Sequence, residues 1–321
     1  MISHILVPLD GSTLAECVLP HVLAIMPSAN TRVTLLHVLE PPDTKGNEQT
    51  IDPLEWHLKK REAGVYLDGI AQRLREADCK VENVILEGLP ADCAIDFAND
   101  NDVTLIILST HGRSGLSGWN VSSVVQKIIL RSFKSTLLVR AYNIPNPKFT
   151  AIHYNRIFVG LDCSARAEYI LPTAINLAQS NKAKLILGMA IRKPEMLDRF
   201  PLSDEDAQLV ARIVERNHRA ASHYFEGLQK QLSLQGVESQ VQLVASDHVT
   251  GALHDMVEQQ GVDLVMLVAH GQSVEGRWPY GSIATSFITH GATPLMIMQD
   301  LPAEGIEKTI AEIAAGESKG Y

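Results

Sequence analysis

Cysteine is scarce in this sequence, and its placement excludes the common zinc and redox motifs. Four cysteines occur in 321 residues, with no C-x-x-C pair and no zinc-like spacing; they are Cys17, Cys79, Cys93 and Cys163. We interpret them as buried or incidental thiols of a reducing compartment. Cys163 is of most interest, because it is predicted to lie in a loop beside Asp162.

Positive charge and long apolar runs are also lacking. The chain has 28 Lys and Arg against 37 Asp and Glu, a net charge of -9, which argues against nucleic acids and acidic membranes as partners. A local basic pocket for a small anion remains compatible with this charge. No apolar run approaches the roughly 20 residues that span a bilayer, and the first residues lack the features of a signal peptide. We therefore expect a cytoplasmic protein.

Several enzyme motifs are missing as well. The sequence contains no G-x4-G-K-[ST] loop, no G-x-S-x-G elbow, no cluster of metal ligands, and no S-G-G-x-D-S loop after a predicted first strand. No residue stands out as a general base. These absences favour a binding protein over an enzyme.

The sequence does contain one pattern twice. Residues 10–20 read D-G-S-T-L-A-E-C-V-L-P and residues 162–172 read D-C-S-A-R-A-E-Y-I-L-P, with six identities in register. Farther on, S-T-H-G-R-S-G-L-S-G-W-N-V-S-S at 109–123 matches V-A-H-G-Q-S-V-E-G-R-W-P-Y-G-S at 268–282. In both, His-Gly is followed by nine residues, then by a small residue and Ser. The chain is therefore a tandem duplication.

Strand and helix patterns alternate through both halves, which predicts α/β domains. Such alternation indicates parallel sheets with right-handed crossovers, and almost wholly apolar strands are typical of sheets covered on both faces. We predict two doubly wound domains in tandem, each a five-stranded parallel sheet with helices on both faces. The domains are placed at 1–141 and 155–300, with a linker at 142–154 and a tail at 301–321.

The individual elements follow from the same patterns. The predicted strands are His4–Leu9, Arg32–Leu39, Lys80–Leu86, Val103–Ser109, Thr136–Arg140, Ile157–Leu161, Lys184–Ala190, Ser239–Val244, Leu264–Val268 and Leu295–Met298. The predicted helices are Thr13–Met26, Leu54–Ala77, Pro90–Asn99, Ser122–Arg131, Ala165–Ala178, Asp204–Leu232, Val249–Gln259 and one that begins at Ser282.

The loop after the fourth strand of each half is the first candidate binding site. Ligands of parallel α/β sheets bind beyond the carboxyl ends of the strands, where the strand order reverses. Glycines let successive N–H groups turn towards an anion, and the following helix offers unpaired N–H groups suited to phosphate. The alternative is a structural loop with an N-capping serine. The candidates are Gly112, Gly115, Ser122 and Ser123 in the first half and Gly271, Gly281 and Ser282 in the second.

An aspartate ends the first strand of each half. Asp10 and Asp162 are either turn or capping carboxylates, or acceptors for the base or ribose of a nucleotide. Because both strand ends lie on one edge of the sheet, Asp10 and the Gly112 loop are predicted to face one pocket. The histidines before the key glycines, His111 and His270, are either general bases, phosphate contacts or structural residues.

These motifs resemble those of the universal stress protein family, repeated in tandem over nearly the whole chain. Nucleotide-binding members carry a first strand that ends in V-P-x-D and a late motif G-x2-G-x9-G-[S/T]. The first pattern is matched by V-P-L-D at 7–10, and the spacing of the second is matched in both halves.

Neither half carries the full family pattern. The departures are Ser109 and Val268 for the first glycine of the late motif, Ser122 for its last glycine (Gly281 in the second half), and Gly160 where the first half has Pro8. If the family geometry needs a positive φ at the last glycine, serine there would cost roughly 1 kcal/mol or more.

The resemblance implies a stress-response protein that binds ATP or a related adenine nucleotide, with or without Mg²⁺, in one or both halves. It adds Pro8, Ser109 and Val268 to the candidate contacts. The alternatives are a tandem-domain scaffold with degenerate pockets and a slow ATPase. We also expect the halves to pair through their fifth strands as a pseudo-two-fold dimer; further homodimerisation and an unidentified protein partner stay open.

The sequence leaves the roles of three bulky loop residues and of the tail open, and gives two prolines a structural role. Trp278, Pro279 and Tyr280 either line the second pocket or fill it. The tail, with isoleucines on one side of a predicted helix, either docks on the protein or binds a partner. Pro20 and Pro172 are predicted to kink or shorten the first helix of each half.

Overall fold

The computed structural model describes residues 2–26, 31–41, 52–112, 121–141, 150–194, 204–271 and 279–299. Strands and α-helices alternate along these residues. The strands are β1 His4–Pro8, β2 Arg32–Leu39, β3 Lys80–Glu87, β4 Leu105–Ser109, β5 Ser135–Val139, β6 Arg156–Gly160, β7 Lys184–Arg192, β8 Ser239–Ser246, β9 Leu264–Val268 and β10 Leu295–Met298. The helices are α1 Leu19–Ile25, α2 Pro53–Arg75, α3 Pro90–Asp100, α4 Ser123–Ser132, α5 Leu171–Asn181, α6 Asp204–Leu234, α7 Val249–Gln259 and α8 Ser282–His290.

The strands form one continuous sheet in the order β3-β2-β1-β4-β5-β10-β9-β6-β7-β8. Each half contributes five parallel strands, in equivalent order. The strand order reverses between β1 and β4, and again between β6 and β9, where parallel α/β sheets bind ligands. The predicted doubly wound class is therefore confirmed, and the two five-stranded sheets join into a ten-stranded one.

The two halves meet through their fifth strands, as the sequence predicts. β5 and β10 pair antiparallel, with Leu137 opposite Met296, Thr136 opposite Ile297, and Leu138 opposite Leu295. Leu137 and Met296 are the middle pair of this short ladder, so a pseudo-two-fold axis passes between them. Each fifth strand thus has its otherwise exposed edge covered by the other.

Helices cover both faces of the sheet, which explains the nearly continuous apolar strands. In β1, Ile5 and Val7 face one apolar core and Leu6 faces the other, as the two-residue period of a strand requires. α1, α2, α5 and α6 pack on the first face, and α3, α4, α7 and α8 pack on the second.

The first helix of each half is shorter than the periodicity predicts, because a proline fixes its start. Thr13–Met26 is predicted as one helix, but a 3-10 turn at Ala15–Val18 precedes α1, which has Pro20 in its first turn. The second half repeats this arrangement with Pro172. Proline lacks an N–H, and the first turn is where a helix tolerates that loss.

One pair of core residues differs between the halves in a compensated way. Leu6 of β1 and Leu36 of β2 occupy the positions that Phe158 and Gly188 occupy in β6 and β7. A Cβ added to Gly188 would overlap the Phe158 ring. The larger phenylalanine at position 158 is therefore accommodated by the absence of a side chain at position 188.

A search of the described residues for a helix of bilayer-spanning length and apolarity finds none. The long helix α6 contains 31 residues, but charged and polar side chains occur throughout it.

Candidate functional site

Each half has a cleft at the carboxyl ends of its parallel strands, next to the reversal of strand order. The first cleft, about 1220 Å³, is bordered by the ends of β1, β2 and β4, by the start of α4 and by one side of α2. The second, about 910 Å³, is bordered by the equivalent elements β6, β7, β9, α8 and α6. Every predicted nucleotide contact that the structure describes, in either half, borders one of these two clefts.

The aspartate at the end of the first strand makes the same turn in both halves. Asp10 Oδ1 accepts hydrogen bonds from the backbone N and the Oγ of Ser12, at 3.0 and 2.7 Å. Asp162 Oδ1 accepts the same two bonds from Ser164, at 3.0 and 2.6 Å. These bonds fix one carboxylate oxygen and orient the whole group. The repeated D-x-S in the sequence is the signal of this turn, although the serine has no predicted role.

The key glycine of each late loop lies directly against that aspartate. A Cβ on Gly112 would overlap Oδ2 of Asp10, and a Cβ on Gly271 would overlap Oδ2 of Asp162. Neither glycine has a positive φ, so close approach, rather than backbone conformation, excludes a side chain here. The structure thus brings together two motifs about a hundred residues apart in the sequence, in both halves.

The helices that follow the loops begin at the clefts, and the residue before each helix has a negative φ. Ser122 has φ -68° and caps α4 by accepting from Val125 N at 3.4 Å. Gly281, at the same position before α8, has φ -70° and offers no side-chain cap. Serine at 122 is therefore unstrained, and the expected cost of a positive φ does not arise. Ser123 and Ser282 are exposed first residues of their helices.

The loop return is held in the same way in each half. Ser122 N donates to Thr110 O at 2.9 Å, and Gly281 N donates to Ala269 O at 2.8 Å. These bonds hold the start of each helix beside the end of the preceding strand. Gly115 of the first loop lies outside the described residues, as does Trp278 of the second.

Ser109 and Val268 lie at the ends of β4 and β9, where the family pattern has glycine. Ser109 Oγ interacts with the carbonyls of Leu14 and His111, at 3.0 and 2.6 Å, so its hydroxyl serves the protein's own backbone. Val268 is buried and makes an apolar wall. These two side chains alter the floor of each cleft without closing it.

The two histidines before the key glycines are buried. His111 is 3% exposed and His270 is 4% exposed. His111 Nδ1 lies 3.2 Å from Thr110 Oγ1. Both residues border their clefts, but their burial favours the structural interpretation over that of a general base.

The second cleft differs from the first beside its aspartate. Cys163 has φ 64°, in the left-handed region, where the first half has Gly11 with φ 81°. A residue with a Cβ pays roughly 1–2 kcal/mol for that conformation. The Cys163 Sγ lies 3.5 Å from the sulfur of Met189, and burial raises the pKa of the thiol.

Thiol chemistry is also suppressed in the first cleft. Cys17 lies behind Ser109, 3.4 Å from its Oγ. Burial raises the pKa of Cys17 to about 11, although the bond with Ser109 lowers it. The thiol is therefore protonated near neutral pH, which agrees with the interpretation of the cysteines as inert.

Pro8 and Gly160 end the first strands of the two halves and border the clefts. The proline is tolerated at the last residue of β1. A Cβ on Gly160 would overlap the side chain of Leu267. The second half therefore needs glycine where the first has proline, because Leu267 fills that volume.

Residues of α2 and α6 complete the clefts, and sequence reasoning missed them. Trp56, Lys59 and Tyr66 of α2 line the first cleft, and Asn217 and Tyr224 of α6 line the second. Their sequence signal is weak, because a helix face that lines a cleft has the same periodicity as one that faces solvent.

Each of the two tyrosines lies near an acidic residue of its own half. Tyr224 Oη donates to Glu168 Oε1 at 2.9 Å, and burial together with Glu168 raises the pKa of Tyr224. In the first half, burial followed by the charges of Glu16 and Asp10 raises the pKa of Tyr66. Glu16 also pairs with Arg73 there, at 3.5 Å. Both phenols therefore stay protonated donors at neutral pH.

Of the three bulky residues before Gly281, the two that the structure describes do not line the second cleft. Pro279 and Tyr280 are buried, and neither borders that cleft. Tyr280 Oη instead donates to Ile129 O in α4 of the first half, at 3.2 Å. Tyr280 therefore neither lines nor fills the second cleft; it forms a contact between the two halves.

The chain is similar to known proteins of one family over most of its length. The model of the Universal stress protein family matches residues 1–140 and again residues 153–299. Universal stress protein MJ0577 of Methanocaldococcus jannaschii is 30% identical over 158 residues, covering 44% of this chain and 98% of that protein. Universal stress protein YxiE of Bacillus subtilis is 26% identical over 149 residues, covering 44% of this chain and 100% of that protein.

Solved structures share the two-half fold. A universal stress protein from Archaeoglobus fulgidus gives a TM-score of 0.61 at 16% identity, over 94% of this chain and 100% of that one. A functionally unknown protein from Pseudomonas aeruginosa gives 0.63 at 13% identity, over 92% of each chain. These likenesses establish the fold, and the doubled match of the family model establishes ancestry. The chain therefore belongs to the universal stress protein family, with two copies in tandem.

Proposed function

We propose that this stress-response protein binds ATP or a related adenine nucleotide in both of its halves and acts as a regulatory binding module. The observation that carries the proposal is the contact between the first-strand aspartate and the key glycine, present twice. Asp10 lies against Gly112, and Asp162 lies against Gly271, each inside a cleft at the reversal of strand order.

The two ends of each cleft suit different parts of a nucleotide. The aspartate, held by its serine, supplies an oriented acceptor for the ribose or base, and tyrosine and tryptophan side chains add aromatic surface. The glycine loop and the N-terminus of α4 or α8 supply N–H groups for phosphates. Mg²⁺ would enter with the phosphates of ATP.

The proposal favours binding over catalysis. The histidine beside each key glycine is buried, and the cysteine pKa values are raised rather than lowered. A scaffold with degenerate pockets is the competing function, and its best support is the absence of a full family pattern in either half.

The test is titration of nucleotide-stripped protein with Mg-ATP, using glycine variants. Gly112→Ala and Gly271→Ala each place a methyl group against an aspartate, so each is expected to weaken its own site about 100-fold, equivalent to about 2.7 kcal/mol. Gly69→Ala is the matched control, because a Cβ there meets no atom within 4 Å. Thermal unfolding of every variant checks that the fold is intact.

Two results would contradict the proposal. Unchanged ATP affinity in both cleft variants would remove the clefts as the site. Absence of ATP binding by the wild-type chain would leave the degenerate scaffold as the better account. Asp10→Ala and Asp162→Ala give a second, independent pair should an alanine at either glycine prevent folding.

A further inference from the structure

The helices that face the two clefts end at the boundary between the halves. α4 begins at Ser123 beside the first cleft, and α8 begins at Ser282 beside the second. Both pack on the same face of the sheet, next to the β5–β10 junction. Helices of nine or ten residues are about 15 Å long and behave as rigid rods. Whatever holds their last turns therefore sets the position of their first turns.

A residue of the first half holds the last turn of α8. Arg140, which directly follows β5, is 1% exposed. Its Nη2 donates to Phe287 O at 2.6 Å, and its Nη1 donates to Ile288 O at 3.1 Å. A guanidinium suits a helix C-terminus, where the carbonyls carry partial negative charge. Glycine at 291 leaves room for this contact, since a Cβ there would lie 2.6 Å from Phe287 O and 3.1 Å from Arg140 Nη2.

The backbone around Arg140 is also bonded to the first cleft. Ala141 N donates to Thr110 Oγ1 at 3.2 Å, and Thr110 N donates to Val139 O at 2.9 Å. Thr110 O in turn accepts the bond from Ser122 N that closes the first loop. A short covalent and hydrogen-bonded route therefore joins the first cleft to the end of α8.

The reverse connection runs from the second cleft to α4. Tyr280 is 6% exposed and immediately precedes Gly281, whose N–H closes the second loop. The Tyr280 hydroxyl donates to Ile129 O in the last turns of α4, at 3.2 Å. Each helix is thus anchored at its far end by a residue next to the other cleft.

The two anchors are not copies of each other, so the duplication itself does not account for them. Gln299 occupies the position of Arg140 in the second half, and its backbone N donates to Ser135 Oγ. Val121 occupies the position of Tyr280 in the first half, one residue before Ser122. Different residue types at non-equivalent positions therefore produce the same crossed connection.

We propose that Arg140 and Tyr280 are positioning residues that couple the occupancy of the two clefts. The inference rests on the proposed nucleotide binding and adds its regulation. Phosphate bound at Gly281 and Ser282 restrains Tyr280, which then holds α4 in its binding position; Arg140 acts in the opposite direction. Coupling is expected to be positive and about fivefold, because a helix already held in place loses less freedom on binding.

The coupling is measured by titration of the full chain with Mg-ATP. The intrinsic affinities of the two clefts come from Gly112→Ala and Gly271→Ala, each of which disables one cleft. In the wild-type chain, the dissociation constant of the second ATP is expected to be about fivefold lower than the value calculated from these affinities for independent clefts. Tyr280→Phe, which removes only the hydroxyl, is expected to reduce this excess to less than about twofold.

Tyr154→Phe is the matched control for this variant. It also removes one buried tyrosine hydroxyl between the halves, which lies 2.8 Å from His21 Nδ1. Tyr154 belongs to the core on the other face of the sheet from α4 and α8. The control should keep the fivefold excess. Equal loss of coupling in both phenylalanine variants would overturn the proposal, as would its retention in Tyr280→Phe.

A second readout needs no nucleotide and separates this proposal from the proposed function. In ligand-free protein, Arg140→Gln is expected to speed amide hydrogen exchange in α8 at least about tenfold while α3 stays unchanged. If that variant does not fold, Arg140→Lys replaces it, because lysine keeps the positive charge but lacks the two guanidinium NH2 groups that bind the two carbonyls. Unchanged exchange in α8 would overturn the anchoring. Absence of ATP binding by the wild-type chain would instead overturn the proposed function, and the coupling with it.

Discussion

The two halves of this molecule share one arrangement of elements but differ at many of the positions that build it. Beside the aspartate, Gly11 of the first half corresponds to Cys163 of the second, and both take a positive φ. In the core, a leucine pair corresponds to Phe158 and Gly188. What both halves keep is the aspartate, its serine and the glycine against it. The comparison separates residues that fill space, such as the pair Phe158 and Gly188, from residues that define the cleft.

The largest expected effect comes from breaking the compensated core pair. Gly188→Leu restores the first-half residue but forces a side chain into the Phe158 ring, so we expect a loss of about 3 kcal/mol in unfolding free energy. Adding Phe158→Leu should recover at least half of that loss, because the pair then matches Leu6 and Leu36. Urea unfolding of both single variants and the double variant measures this. A double variant no more stable than Gly188→Leu would contradict the compensation.

The second effect tests a buried imidazole that only the first half contains. His21 lies against Tyr154, and burial lowers its pKa to about 4, whereas Thr173 occupies its position in the second half. The unfolded chain binds this proton below about pH 6.5 and the folded chain only below about pH 4. Stability is therefore complete above pH 6.5 and falls as the pH drops from 6.5 to 4, by about 3 kcal/mol in total.

The measurement compares unfolding free energies of wild type and His21→Asn across pH 4 to 7. The variant removes the titrating group, so its stability should depend less on pH over this window. His254 also has its pKa lowered by burial and remains in both proteins, so it cancels in the comparison. Parallel curves for the two proteins would contradict the assignment to His21.

The smallest effect concerns the residue before each cleft helix. Ser122 and Gly281 have nearly the same φ, and a Cβ on Gly281 would meet its nearest atom at 3.5 Å, an ordinary contact. Ser122→Gly should therefore cost only a few tenths of a kcal/mol, and Gly281→Ser should gain a similar amount through a new N-cap. Both variants should bind Mg-ATP within about twofold of wild type. A tenfold loss in Ser122→Gly would show that the hydroxyl contacts the ligand.

The sequence predicts the strands well, because their apolar runs are bounded by turns. It also predicts that Asp10 and Gly112 share a pocket, since the carboxyl ends of parallel strands lie on one edge. The junction through β5 and β10 follows from the need to cover an edge. These features depend on rules that hold for any parallel α/β sheet, so residue type and order are sufficient to infer them.

Other features depend on contacts between distant residues and could not be predicted. The direction of Tyr280 into the first half follows from the sheet junction, which places α4 next to it. The contributions of Trp56 and Lys59 to the first cleft depend on how α2 packs over β2 and β3. None of these carries a local pattern in the sequence.

The most direct test of the central claim is the number of ATP molecules that one chain binds. Native mass spectrometry of the nucleotide-stripped chain with Mg-ATP counts bound ligands, and Gly112→Ala with Gly271→Ala in one chain provides the background. The duplicated contact between aspartate and glycine predicts two ATP per wild-type chain, one in each single variant and none above background in the double variant. A wild-type chain that binds no more ATP than the double variant would contradict the account.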